Sequence, residues 1–291
     1  MDKKEITKED TYKPVKYKIL KRVLHHRTLL LGIFILLVAI FAALFPQVIC
    51  SYDPLDILDT QGIRSPSSQY LLGLDNLGRD IFSRTIYGAR ASILVALGAV
   101  SVALIIGVTL GLISGYVGGW FDNLICRLLD SILAFPILLF AIMILAFLGG
   151  SATNLVFTIG LIYMPYFARL ARGSTLSVKK REFVEASKAI GSSNLRIILR
   201  TIFPNILVPI TVQASIALGV SMLVEANLSF LGLGVQPPTP SWGRMILESA
   251  IYIRVNPWYM LAPGICIFLT ILAFNLVGDG LRDVIDPKLL L

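Results

Sequence analysis

Three groups of side chains in this sequence have types and spacings that can do work, and none of them is a catalytic set. The first is residues 181–205, REFVEASKAIGSSNLRIILRTIFPN, a polar, basic, helix-forming island between long apolar runs. On a helix, Phe183, Val184 and Ile190, with the small Ala186 and Ala189, gather on one side, and Arg181, Glu182, Glu185 and Lys188 on the other. Gly191 permits a sharp turn, and Ser192, Ser193 and Asn194 supply a new N-cap region. The chemistry implied is recognition: two short helices with a bend, whose small residues can enter a cleft on a partner. An interfacial helix resting on lipid headgroups has the same pattern, and periodicity leaves both readings open.

The second group is Asn154, Thr158, Tyr163, Thr211 and Gln213, polar side chains inside apolar runs. They can line a polar path or hydrogen-bond helix to helix. The third is Gln236, Pro237, Pro238, Trp242 and Arg244 in QPPTPSWGR, where proline stiffening fits either a rigid lid or a recognition surface. Other chemistries are excluded by what is missing. No GxxxxGK[ST] phosphate loop occurs, so any ATP is bound by another chain. Cys50, Cys126 and Cys266 are scattered without a CxxC, and the adjacent His25 and His26 do not face one way on a helix, so no metal site is expected. The middles of the apolar runs lack Asp, Glu, Lys and Arg, and Asp130 and Glu225 are expected near span ends within reach of the interface. Without an intramembrane relay, energy for transport must come from elsewhere.

The elements that must carry these groups are membrane helices. The chain has 291 residues, 56% hydrophobic and 15% charged, against about 25% charged in ordinary soluble domains. Six apolar runs, at 28–48, 91–116, 128–148, 154–170, 202–222 and 260–277, lie near the ~20 residues that cross a bilayer. Being unbroken, they exclude barrel strands. The expected organisation is a tail over 1–27, a first span over 28–50, retained rather than cleaved, and an external loop over 51–88. A five-helix core follows over 89–280, containing the island loop 179–200 and an external loop 225–258, and a tail over 281–291. The net charge of +8 sits mainly in the N-terminal tail and the island. That distribution excludes a nucleic-acid face and, by the positive-inside rule, puts both termini and the island in the cytoplasm. Arg64, Arg79, Arg84 and Arg90 in the first external loop are offset by Asp53, Asp56, Asp59, Asp75 and Asp80. Gly107, Gly111 and Gly115, four apart, predict close helix packing. Pro136, Pro165, Pro209 and Pro263 predict kinks, either hinges of an alternately opening path or bends that any bundle tolerates.

Glu185-Ala186-Ser187-x3-Gly191, followed by Ile202-Phe203-Pro204, resembles the EAA loop of ABC importer permeases, with Ser187 in place of the second alanine and Phe203 in place of the usual leucine. Leu72-Gly73-Leu74-Asp75-Asn76-Leu77-Gly78-Arg79-Asp80, Ser83-Arg84 and Gly88-Ala89-Arg90 resemble the segment before the second span in the peptide/nickel branch, although Tyr70 and Leu71 replace its His-Pro. Phe230-Leu231-Gly232 with residues 236–243, and residues 275–283 with Asp286-Pro287, resemble that branch's last outer loop and C-terminal signature. The resemblance implies an all-α integral membrane protein, a six-helix type I ABC importer permease similar to the "C" subunit of dipeptide and oligopeptide systems, in a bacterial inner membrane. It implies that Phe183, Glu185, Ala186, Ser187, Lys188 and Gly191 couple to an ATPase. The implied partners are a homologous second permease, two ATP-binding subunits that hold ATP and Mg²⁺, an extracytoplasmic binding protein docking near residues 236–244, and membrane lipid. No cofactor and no catalysis fall to this chain. A nickel or metal-chelate importer is the alternative within the branch. An ion-coupled carrier, which predicts intramembrane acids, and a non-transporting scaffold are the alternatives outside it.

Overall fold

Several helix starts here are set by side-chain caps rather than by hydropathy. The computed structural model describes Arg22 and residues 26–285. Most of the basic tail expected over 1–27 and the Asp286-Pro287 pair lie outside the described residues. Helix α1, Arg27–Leu44, is capped by His26, whose Nδ1 accepts from the Leu29 amide, and a single turn, α2 (Pro46–Ile49), follows. Helix α3 spans Ile81–Val117, with the Asp80 carboxylate accepting from the Ser83 amide at 2.8 Å. It is therefore about three turns longer than the run at 91–116, and the end of the loop expected over 51–88 is helical. At 37 residues and 1.5 Å per residue, α3 is about 55 Å long.

The span expected over 128–148 is not continuous. Helices α4 (Gly119–Leu133) and α5 (Ile137–Leu148) meet at 90°. Pro136 lacks an amide hydrogen and drives the residue before it out of helical geometry, so the chain turns there. Two ion pairs hold this elbow to α6 (Ala152–Lys179): both nitrogens of the Arg172 fork donate to Asp122 at 2.6 Å, and Arg169 meets Asp130 at 2.5 Å. Helix α7 is Glu182–Ala189, and α8 runs through Asn194–Phe230. A π-helical stretch, Ile197–Ile202, widens α8 just before Pro204, a local adjustment common where a helix must absorb a proline. Helices α9 (Trp242–Ser249) and α10 (Trp258–Ile285) complete the chain, so the tail expected from 281 begins as helix. Among the described residues, five helices are long and apolar enough to cross a membrane, and the bent α4–α5 pair makes a sixth if counted as one span.

The seam between α3 and α6 is the tightest in the bundle, and the glycine spacing explains it. A Cβ on Gly107 would stand 2.5 Å from the Met164 carbonyl oxygen, and one on Gly111 would stand 2.8 Å from the Ala171 Cβ and 2.9 Å from the Arg172 nitrogen. The backbones touch there, which only hydrogen side chains permit. At the opposite edge α1 lies along α10, with Gly32 against Leu276.

Residues 51–80 fold into a cap over the starts of α3 and α9. Its centre is Asp75, fully buried, which accepts from the amides of Leu77 and Arg79 at 2.8 and 2.9 Å, from Arg79 Nε at 2.8 Å and from Arg84 Nη1. Burial pushes the Asp75 carboxyl up from its ordinary range, while Arg84 pulls it back. The other arm of Arg84 donates to Glu248 at 3.0 Å, and Arg244 and Tyr259 donate to the same carboxylate. Of the balanced charges of this loop, Asp75, Arg79, Asp80 and Arg84 are thus buried, whereas Asp53, Asp56, Arg64 and Arg90 are exposed.

The docking handle and the opposite cap as candidate functional sites

The polar island folds as a bent handle closed by its own backbone. Gly191 has φ +75°, the left-handed region that L side chains avoid. Its amide donates to the Lys188 carbonyl at 2.9 Å, and the Ser192 amide reaches back to the Ser187 carbonyl at 3.1 Å. This pair of bonds is a Schellman motif, which satisfies the last carbonyls of α7. Ser193 then caps α8, its hydroxyl accepting from the Arg196 amide. The Ser187 hydroxyl donates to the Phe183 carbonyl at 2.8 Å, so it is spent inside the helix.

The apolar residues of the handle are mostly uncovered within this chain. Val184 alone is buried, at 0% exposure, whereas Phe183 is 43%, Ile190 80% and Leu195 67% exposed. Glu185, Ala186, Lys188 and Gly191 are exposed beside them. The handle is pinned by one side chain and presents a mixed apolar and charged face. Phe183, Ile190 and Leu195 leave apolar surface on the handle that this chain does not cover.

Three residues with no place in the motif reading tie the handle to the bundle. The Tyr116 hydroxyl, at the end of α3, donates to Asn194 Oδ1 at 2.7 Å. Lys179, the last residue of α6, donates to the Tyr116 carbonyl at 2.6 Å and lies 5.3 Å from the Tyr116 ring centre. No sequence spacing connects 116 with 179 and 194; the glycine repeat at 107–115, which brings the end of α3 onto α6, was the available hint.

At the cap end, the residues expected to form an external docking surface divide into two kinds. Gln236, Pro237 and Pro238 are exposed, with the Gln236 amide donating to the Gly232 and Gly234 carbonyls at 3.1 and 2.9 Å. Trp242 is an anchor instead: it is 2% exposed, its indole donates to the Thr85 carbonyl at 2.8 Å and its amide to Ser92 Oγ at 3.2 Å. Arg244 is half-buried in its pair with Glu248.

Among the polar residues within the runs, Thr158 and Tyr163 are buried inside the chain, and Asn154 donates to the Leu148 and Gly149 carbonyls at 2.8 and 2.9 Å across the α5–α6 turn. Thr211 is exposed and Gln213 half-buried on α8. A cavity of about 460 Å³ between α6 and α8 near the handle is lined by other polar groups, Arg169, Ser174, Ser177 and Asn205. Glu225 does not reach an interface. It is fully buried one turn inside the end of α8, where the Ser229 hydroxyl donates to it at 2.7 Å and the Gly243 backbone of α9 closes against Ala226 and Ser229.

Residues 107–291 match the protein family described as "Binding-protein-dependent transport system inner membrane component". The dipeptide transport system permease protein DppC of Alkalihalophilus pseudofirmus is 43% identical over 97% of this chain and 93% of that protein. The glutathione transport system permease protein GsiD of Pectobacterium atrosepticum is 42% identical over 91% of this chain and 88% of its own length. Among solved structures, an inward-facing conformation of the MetNI methionine ABC transporter superposes with a TM-score of 0.58 at 16% identity, covering 69% of this chain and 96% of that one.

Proposed function

We propose, from the premise that the chain belongs to the binding-protein-dependent transport system inner membrane components, that it forms half of the translocation path of an ATP-driven importer of di- and oligopeptides. Two relatives named for a dipeptide and for glutathione, itself a short peptide, support that cargo. In this reading the handle lies in the cytoplasm with both termini, and the cap lies outside. A homologous second permease completes the path, two partner subunits bind ATP and Mg²⁺ and do the hydrolysis, and an extracytoplasmic binding protein delivers cargo at the exposed Gln236, Pro237 and Pro238. Closure of the ATPase pair displaces the handles, and the packed helices switch between discrete arrangements.

The observation that carries the proposal is the handle: a bent helix pair with a free face, held by Val184 below and by backbone closure at Gly191. Gly191→Pro removes the amide that donates to Lys188, and proline's fixed φ near −65° is incompatible with +75°. Glu185→Arg reverses a charge on the exposed face. Both variants should insert in the membrane at normal levels and lose ATP-driven peptide uptake by at least ~10-fold, a change of about 1.4 kcal/mol. Reconstituted vesicles containing both permeases, the ATPases and the binding protein provide the measurement. Wild-type uptake by both variants would refute the handle as drive point, and uptake without the ATPase subunits would refute the class.

A further inference from the structure

We infer that α3 is the strut that carries handle motion to the cap, and that Tyr116 is the latch at its driven end. The inference rests on the handle being the drive point, as proposed above. Tyr116 is 8% exposed and touches both ends of the handle: Lys179, where the chain enters it, and Asn194, where the chain leaves. The Lys179 ammonium caps a carbonyl in the last turn of α3, a position that otherwise lacks a helical partner, and its charge lies within cation–π range of the ring. A handle displaced as a unit therefore pulls on the end of α3.

The rest of α3 is built to pass that displacement on. Helices α6, α8 and α10 each contain an internal proline, at 165, 209 and 263, whereas Ile81–Val117 contains none. Its glycine face locks it to α6, so the two move together. At its far end α3 carries Arg84, Thr85 and Ser92. Arg84 holds the cap through Asp75 and Glu248, and Thr85 and Ser92 hold α9 through Trp242. One unbroken helix thus joins the handle to both elements of the cap. Coupling between distant sites is carried by rigid secondary elements and the contacts at their ends, and α3 has such contacts at both of its ends.

The test is the ratio of ATP hydrolysed to peptide imported in the reconstituted complex. Tyr116→Phe deletes one hydroxyl and keeps the ring over Lys179, and the released Asn194 is exposed and rehydrates, so folding is little affected. The ratio should rise about five-fold, the equilibrium worth of one hydrogen bond. Asn194→Ala, at an exposed position, should raise it equally, and the double variant should go no further than either single one. Tyr116→Trp, which is bulkier and lacks the hydroxyl, should not rescue. A merely structural tyrosine would lower hydrolysis and import together and leave the ratio unchanged. An unchanged ratio in Tyr116→Phe and Asn194→Ala, or a double variant whose effect is the product of the singles, overturns the latch. If wild-type complex shows no ATP-dependent import, the importer reading fails instead, which separates the two.

Discussion

Gly111→Leu should leave almost no assembled protein in the membrane. The position faces the Ala168 carbonyl, the Ala171 methyl and the Arg172 amide of α6 across the α3 seam. Filling a well-packed core usually costs about 1–3 kcal/mol because side chains can shift. Two of the obstacles here are backbone atoms, so the helices must separate along their length, and the van der Waals contact that substitutes for hydrophobic driving force in lipid is lost with them. Gly173→Ala on α6 is the control: nothing stands within 4 Å of its Cβ, and alanine favours helix by about 1 kcal/mol over glycine. The tagged chain in washed membranes, and its monodispersity after extraction, should fall sharply for the first variant and hold for the second.

Arg84→Ala should unfasten the cap. The side chain is 2% exposed and bridges two carboxylates from different segments, Asp75 and Glu248. Removing it leaves Asp75 with Arg79 and the Leu77 amide, still buried, and Glu248 with Arg79, Arg244 and Tyr259. Breaking a buried ion pair from one side costs about 3–5 kcal/mol. Arg84→Lys should restore little, because a single ammonium cannot span both acceptors as the guanidinium fork does. The readouts are the melting temperature of the purified complex and the rate at which protease cuts residues 51–80. Replacing Asp75 with Ala in the Arg84→Ala background should cost less than the sum of the two single changes, since each has already lost the other's partner.

How much of this was visible in the sequence varies by element, for physical reasons. The Gly107, Gly111 and Gly115 spacing announced a close-packed face on α3, because backbone approach has only one residue solution, though not that α6 is the helix it meets. The bend of the handle was equally plain, since Gly191 alone in its segment can take φ +75°. Hydropathy misjudged lengths, because it registers the apolar stretch of a helix and not the caps: Asp80 and Ser151 start α3 and α6, and the polar last turns of α6 run on to Lys179. Pro136 was expected to kink a continuous span over 128–148; the full 90° elbow found there was not legible, since an apolar run does not show how far its axis turns. Tyr116, Lys179 and Asn194, and the pairing of Arg84 with Glu248, depend on contacts between residues 63 to 164 positions apart, and no local pattern encodes them. Glu225 was expected at an interface because it sits close to a helix end; the docking of α9 against that end buries it.

Val184 is the one side chain of α7 buried in the bundle. A segment so thinly moored has little of its own packing to keep it wound, and local opening free energy follows packing density. Amide hydrogens of residues 182–190 should therefore exchange with deuterated water far sooner than those of α3 or α6, and slow markedly once a nucleotide-binding companion is seated. The permease would then lend its companion a half-finished surface, with order at that spot belonging to the assembled pair rather than to either chain by itself.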